Sequence, residues 1–118
     1  MKNMNKLFLM SALLLAASST SYAAMKMNLQ LDNDRAEPLT AHFAEPLADG
    51  RTSEAVPANS KETVEVSSKW LNNEVVVTWK NAAGEVKDTD TVHFDNANET
   101  LKSSSDDDQG DGHADKLT

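Results

Sequence analysis

Between Glu74 and Phe94 the side chains alternate with a period of two, and that alternation constrains the fold more than any other feature. Val75, Val77 and Trp79 share one parity, while Val76, Thr78 and Lys80 share the other. β-Branched and aromatic residues at this period specify a pleated strand. Asn81-Ala82-Ala83-Gly84 then reads as a four-residue hairpin loop, because glycine takes positive φ without steric cost. Such a loop sets Lys80 opposite Glu85 and Trp79 opposite Val86, pairs worth a few tenths to about 1 kcal/mol each. Beyond the loop, Val86, Asp88, Asp90, Val92 and Phe94 share a parity that aims two carboxylates at the core. Burying carboxylates without partners is too costly. Asp88-Thr89-Asp90 is therefore expected to form a loop or bulge at the sheet rim, with the strand resuming at Thr91 to Asp95.

Three further runs carry the same period. Met25, Met27, Leu29 and Leu31 alternate with Lys26, Asn28, Gln30 and Asp32, and Asp32-Asn33-Asp34 supplies turn chemistry at the strand end. Asp32, Asp34 and Glu37 also form an acidic group, for which turn formation is a sufficient account. Leu39, Ala41 and Phe43 make a short strand bounded by Pro38 and Pro46, since proline cannot donate to a ladder. Val64 and Val66 point inward from Thr63 to Ser67, Trp70 keeps their parity, and Asn72-Asn73 turns the chain back. The connection from Ala44 to Ser60 is long for a compact domain, so it holds either a short edge strand or a binding loop. Outside positions 1–23 no stretch sustains a helical period. The pattern predicts an all-β fold: a small antiparallel β-sandwich, immunoglobulin-like, of five to seven strands, with a barrel as the alternative.

Positions 1–23 read differently. Lys2 and Lys6 precede an apolar run from Leu7 to Ala17, and Ser21 and Ala23 suit the −3 and −1 positions of a signal-peptidase cut. That run is shorter than the roughly 20 residues a membrane span requires. Residues 1–23 are thus expected to be a signal peptide, residues 24–95 the sandwich, and residues 96–118 a disordered acidic tail. With no cysteine in the chain, disulfides and a lipid-modified cysteine are excluded. A periplasmic or secreted location follows, without membrane insertion after cleavage.

Charge narrows the partners. The chain has 11 basic and 19 acidic residues. Without Lys2 and Lys6 the balance is 9 against 19, a net charge of −10. Scattered single Lys and Arg residues do not track a phosphate backbone, so nucleic acid is not an expected partner.

The candidate sites are few. Asp107, Gln109, Asp111, Gly112 and Asp115 occupy positions 1, 3, 5, 6 and 9 of a potential calcium loop, which makes Asp107, Asp111 and Asp115 candidate metal ligands. The stretch Gln109-Gly110-Asp111-Gly112-His113-Ala114-Asp115 resembles one unit of thrombospondin type 3 repeats, a resemblance that implies calcium as the ion bound. Gln109 stands where that family has Asp, and position 12, a bidentate Glu in EF-hands, is Thr118. A solvated acidic tail explains the same residues without any ion, and no other cofactor is expected. His42 and His93 both face outward and pair as metal ligands only if their strands are neighbours. Trp70 and Trp79 lie on inward parities, which favours core packing over a sugar-binding platform. The chain has neither a cysteine nucleophile nor a glycine-framed serine. The expected function is a non-catalytic binding or interaction module of the cell envelope, with protein or glycan as ligand. Two alternatives are a calcium-dependent structural protein acting through the tail, and a small enzyme inhibitor inserting the Ala44 to Ser60 loop.

Overall fold

The alternating runs become eight strands in a computed structural model, which describes residues 26–106 and 114–117. They are β1 (Met27–Asn33), β2 (Leu39–Phe43), β3 (Ser53–Val56), β4 (Ser60–Val66), β5 (Glu74–Lys80), β6 (Val86–His93), β7 (Thr100–Ser104) and β8 (Asp115–Lys116). A 3₁₀ turn at Ser68–Trp70 links β4 to β5. One sheet has the order β4-β1-β7-β8 and the other β3-β2-β5-β6. The result is a nearly all-β, sandwich-like fold whose strand-to-strand pairings, among the described residues, are antiparallel except one. That one is β1 with β7, which run parallel from Asn28↔Thr100 to Asp32↔Ser104.

Inward residues of both sheets form one core. Met27, Leu29 and Leu31 of β1 are buried with Leu39 and Ala41 of β2, Val64 and Val66 of β4, Val75 and Val77 of β5, and Leu101 of β7. Both tryptophans are fully buried. Trp70 meets Phe43 and Phe94 edge-on, at centroid separations of 5.8 and 6.4 Å, and its indole N–H donates to the Pro46 carbonyl at 2.8 Å. A buried aromatic of this size removes roughly 150–250 Å² from water, a gross gain of about 4–6 kcal/mol.

The structure corrects the hairpin register. Lys80 pairs with Val86 rather than Glu85, and Trp79 with Asp88 rather than Val86, because a bulge lies between Trp79 and Lys80. Asn81 sets this shape. Its side-chain carbonyl accepts from the Ala83 and Glu85 N–H groups at 3.0 and 2.9 Å, and Gly84 takes φ +84°. Glu85 turns to Asn81 Nδ2 at 2.8 Å and to Lys87 at 3.8 Å, and these two groups hold its carboxyl below its ordinary pKa.

Asp88-Thr89-Asp90 is not a rim loop either. β6 runs unbroken through it, and Asp90 is buried. The carboxylate is accommodated because Ser103 of β7 donates its hydroxyl to Asp90 Oδ2 at 2.5 Å, and the Ser104 N–H adds a bond of 3.2 Å. Ser103 in turn accepts the Trp79 indole N–H at 3.1 Å. One hydroxyl thus joins the two sheets.

Nor does the domain end at Asp95. β7 lies within the stretch 96–118 expected to be a tail, yet Leu101, Ser103 and Ser105 are buried. Their alternation is a strand pattern written in hydroxyls instead of hydrocarbon, so hydropathy does not register it. Asn33, expected in a turn, ends β1 fully buried. Its amide donates to the Glu37 and Val56 carbonyls at 2.8 and 3.1 Å, and its oxygen accepts from Ser105 at 3.1 Å. Arg35 then reaches the Ser105 and Lys87 carbonyls at 3.0 and 3.2 Å.

The Ala44 to Ser60 connection contains the edge strand β3. Leu47 is buried and bridges Val66, while the Ala48 N–H donates to the Glu65 carbonyl at 3.0 Å. This covers one end of the β4 edge. Lys61 and Glu62 charge the remainder, which discourages pairing with other strands.

Candidate functional site

Residues paired across antiparallel strands share a face, so the registers determine what each sheet shows to solvent. On the outer face of the β3-β2-β5-β6 sheet, Ser53, His42, Thr78 and Thr89 form one row. Ala55, Thr40, Lys80 and Val86 form the next. Val76 with Thr91, and Glu74 with His93, complete the face towards its other end. Of these twelve side chains only Glu74 and Lys80 carry a formal charge at pH 7 with histidine neutral, and Lys87, the extra residue at the bulge that shares the parity of Thr89, adds a third charge at the β6 edge. Val76 and Val86 are 41% and 57% exposed.

The opposite sheet differs. Its outward positions are Asn28, Gln30 and Asp32 on β1, Lys61, Thr63 and Glu65 on β4, Thr100, Lys102 and Ser104 on β7, and Asp115 on β8. Half of these ten are charged, although one of the five, Asp32, is buried. A chain this acidic that keeps one broad face nearly free of charge has the composition of an interface centre, where charged residues are depleted. The elements beneath are rigid. β2 and β5 are central strands anchored by Phe43, Val77 and Trp79, so the outward threonines and Val76 stand on a fixed backbone.

Beside this face a hollow of about 390 Å³ opens at the end of β3, lined mainly by Pro38, Ala55, Val56, Pro57 and Ala82, with Glu54 and Glu62 at its polar side. Nearby, the tip Asp49-Gly50-Arg51 is fastened by Arg51. Its backbone N–H and guanidinium both bond Asp49, at 3.0 and 2.7 Å, and hold that carboxyl below its ordinary pKa. The guanidinium also pairs with Glu54. The tip itself, from Ala48 to Arg51, is exposed.

The other candidates separate. Asp107 and Asp111 lie outside the described residues, and Asp115 sits exposed in β8 opposite Lys102. Among the described residues no three His, Asp or Glu side chains gather as metal ligands. His42 and His93 are on β2 and β6, which β5 separates. Their rows differ by four residues, which puts them roughly 17 Å apart. Asp32 accepts from Gln30 at 2.8 Å and Asp34 from Ser104 at 2.8 Å, so these two carboxylates have protein partners. With Trp70 and Trp79 in the core, neither forms a sugar platform. The outer face is visible in the sequence only as the second parity of β5, in Val76, Thr78 and Lys80. The chain matches no family model, no curated protein and no solved structure.

Proposed function

We propose that the protein is an exported, non-catalytic binding module of the cell envelope that engages a protein ligand through the outer face of its β3-β2-β5-β6 sheet. The observation that carries this reading is the near absence of charge from that face, in a chain of net charge −8. Protein is favoured over glycan as the ligand because both tryptophans are buried. Export, to the periplasm or beyond, rests on the charged, apolar and small-residue order of positions 1–23. An intact mass beginning at Ala24 in the secreted or envelope fraction is the expected result.

An immunoglobulin-like arrangement belongs to the same reading. The order β3-β2-β5-β6 is that of strands C′-C-F-G in variable-type domains, and β1 with β4 takes the place of B with E. β7 departs from that plan, since it flanks β1 in parallel.

The test is a photo-activatable residue placed at Val76 and, as a control, at Thr63 on the other sheet. Illumination in cells should give discrete protein adducts from Val76 and none in common from Thr63. Identical adducts from both positions, or none from Val76, would refute the proposed face.

A further inference from the structure

The face has a symmetry of its own. Along β5 the outward side chains run Glu74, Val76, Thr78 and Lys80, an acid and a base at equal distances from Val77. Among the described residues neither Glu74 nor Lys80 belongs to an ion pair. We propose that this face binds a second copy of the same chain, as a two-fold dimer in which Glu74 and Lys80 pair reciprocally. The inference rests on the reading of this face as the binding surface, and it names the partner.

Take a two-fold axis between two such sheets, crossing the strands at the level of Val77. It reverses strand direction but keeps strand order, so β5 lies over β5 and β6 over β6. Lys80 then meets Glu74 of the second copy, Thr78 meets Val76, and both contacts recur by symmetry, as an isologous interface requires. On β6 the same operation sets Val86 over His93, and Thr89 over Thr91. Sheets pack about 10 Å apart with strands inclined by about 30°. Lys80 and Glu74 each lie roughly 10 Å along the strand from the axis, so the incline offsets them sideways by only about 5 Å. Two long side chains span that gap. A parallel stacking puts Lys80 near Lys80 and Glu74 near Glu74, and like charges disfavour it.

Size sets the strength. Four strands of this length present roughly 450 Å² of face, below the roughly 800 Å² per partner of a standard stable interface. The dimer is therefore weak and reversible.

Sedimentation of the purified protein from about 10 µM to 1 mM, the range a small interface calls for, reads this directly. The parent should shift from monomer to dimer across that range. Lys80→Glu alone and Glu74→Lys alone each set like charges opposite one another twice, and each should weaken self-association at least tenfold while leaving the melting temperature in place. Mixing the two variants restores both opposite-charge pairs, so the mixture should dimerise where neither component does. Thr78→Arg, which crowds the centre of the face, should also abolish the dimer. A parent that stays monomeric at the top of that concentration range overturns the proposal. So does a dimer indifferent to these substitutions, or a mixture that remains monomeric. The Val76 photo-adduct separates the two readings. A mass of twice the chain supports the dimer. A different partner mass preserves the binding face and rejects the dimer, and no adduct rejects both.

Discussion

Replacing Ser103 by alanine tests the polar join between the two sheets. The Ser103 hydroxyl accepts from the Trp79 indole at 3.1 Å and donates to Asp90 Oδ2 at 2.5 Å, and all three residues are buried. Alanine leaves the indole N–H without that acceptor, at a cost of about 1–3 kcal/mol. It also removes the shorter donor to a carboxylate, a bond of the charged class worth about 1.5–3 kcal/mol, and leaves the longer Ser104 N–H in place. Together the expected loss is about 3–5 kcal/mol. A domain of some 80 residues has roughly 4–12 kcal/mol in total, so Ser103→Ala should bring it close to unfolding at room temperature. Urea titration followed by tryptophan fluorescence measures the loss, and Ser103→Thr, which keeps a hydroxyl, should retain more stability than alanine. A double-mutant cycle with Asp90→Asn should show a coupling above about 1 kcal/mol, as residues of one network do. If Ser103→Ala costs no more than an ordinary surface substitution, about 0.5 kcal/mol, or adds strictly with Asp90→Asn, the reasoning is refuted.

Three other outcomes follow from the same geometry. A chain stopped after Lys102 loses Ser103 and Ser105 and should give no cooperative melt by circular dichroism, whereas a freely solvated tail would leave the transition intact. Burial acts to raise the Glu99 pKa, but the Lys116 ammonium at 3.1 Å and the Asp95 N–H at 3.1 Å outweigh it and lower the value. The ionised form is therefore favoured on folding, and its stabilisation, complete above the ordinary value near 4.5, is lost as pH falls through the lowered one. Glu99→Gln should flatten the acid limb of a melting temperature against pH profile. At Gly84, φ is +84° and an added Cβ meets nothing within 4 Å. Gly84→Ala should accordingly cost only the conformational term, about 1 kcal/mol, by chemical denaturation.

Much of the scaffold is legible in the sequence because apolar alternation writes strand and face at once. β2 spans the residues its prolines bracket, and Val75, Val77 and Trp79 point inward as their shared parity requires. What the sequence conceals is polar and non-local. Asp90 reads as forbidden in a core until Ser103, 13 residues on, is seen to donate to it. Ser103 and Ser105 read as tail because burial of a hydroxyl depends on a distant partner, not on its own hydropathy. The bulge beside Lys80 is hidden because Asn81 closes the turn with its side chain, which backbone turn rules do not anticipate. Of the outer face proposed to bind, the β5 stripe is readable. Its extension to β2, β3 and β6 requires the pairing order, which separates His42 from His93 as well.

The parallel contact of β1 with β7 bears on how the chain acquires its structure. β1 and β7 lie side by side, with Asn28 opposite Thr100, 72 positions away. Closing so long a loop costs entropy before any contact rewards it, which slows folding towards the millisecond-to-second range of non-local β topologies. A nascent chain that has emerged only as far as β6 has a bare β1 edge, a Trp79 indole without its acceptor and an Asp90 without its serine. The contacts that close the native state are therefore completed only once β7 is available, rather than strand by strand from the N-terminus.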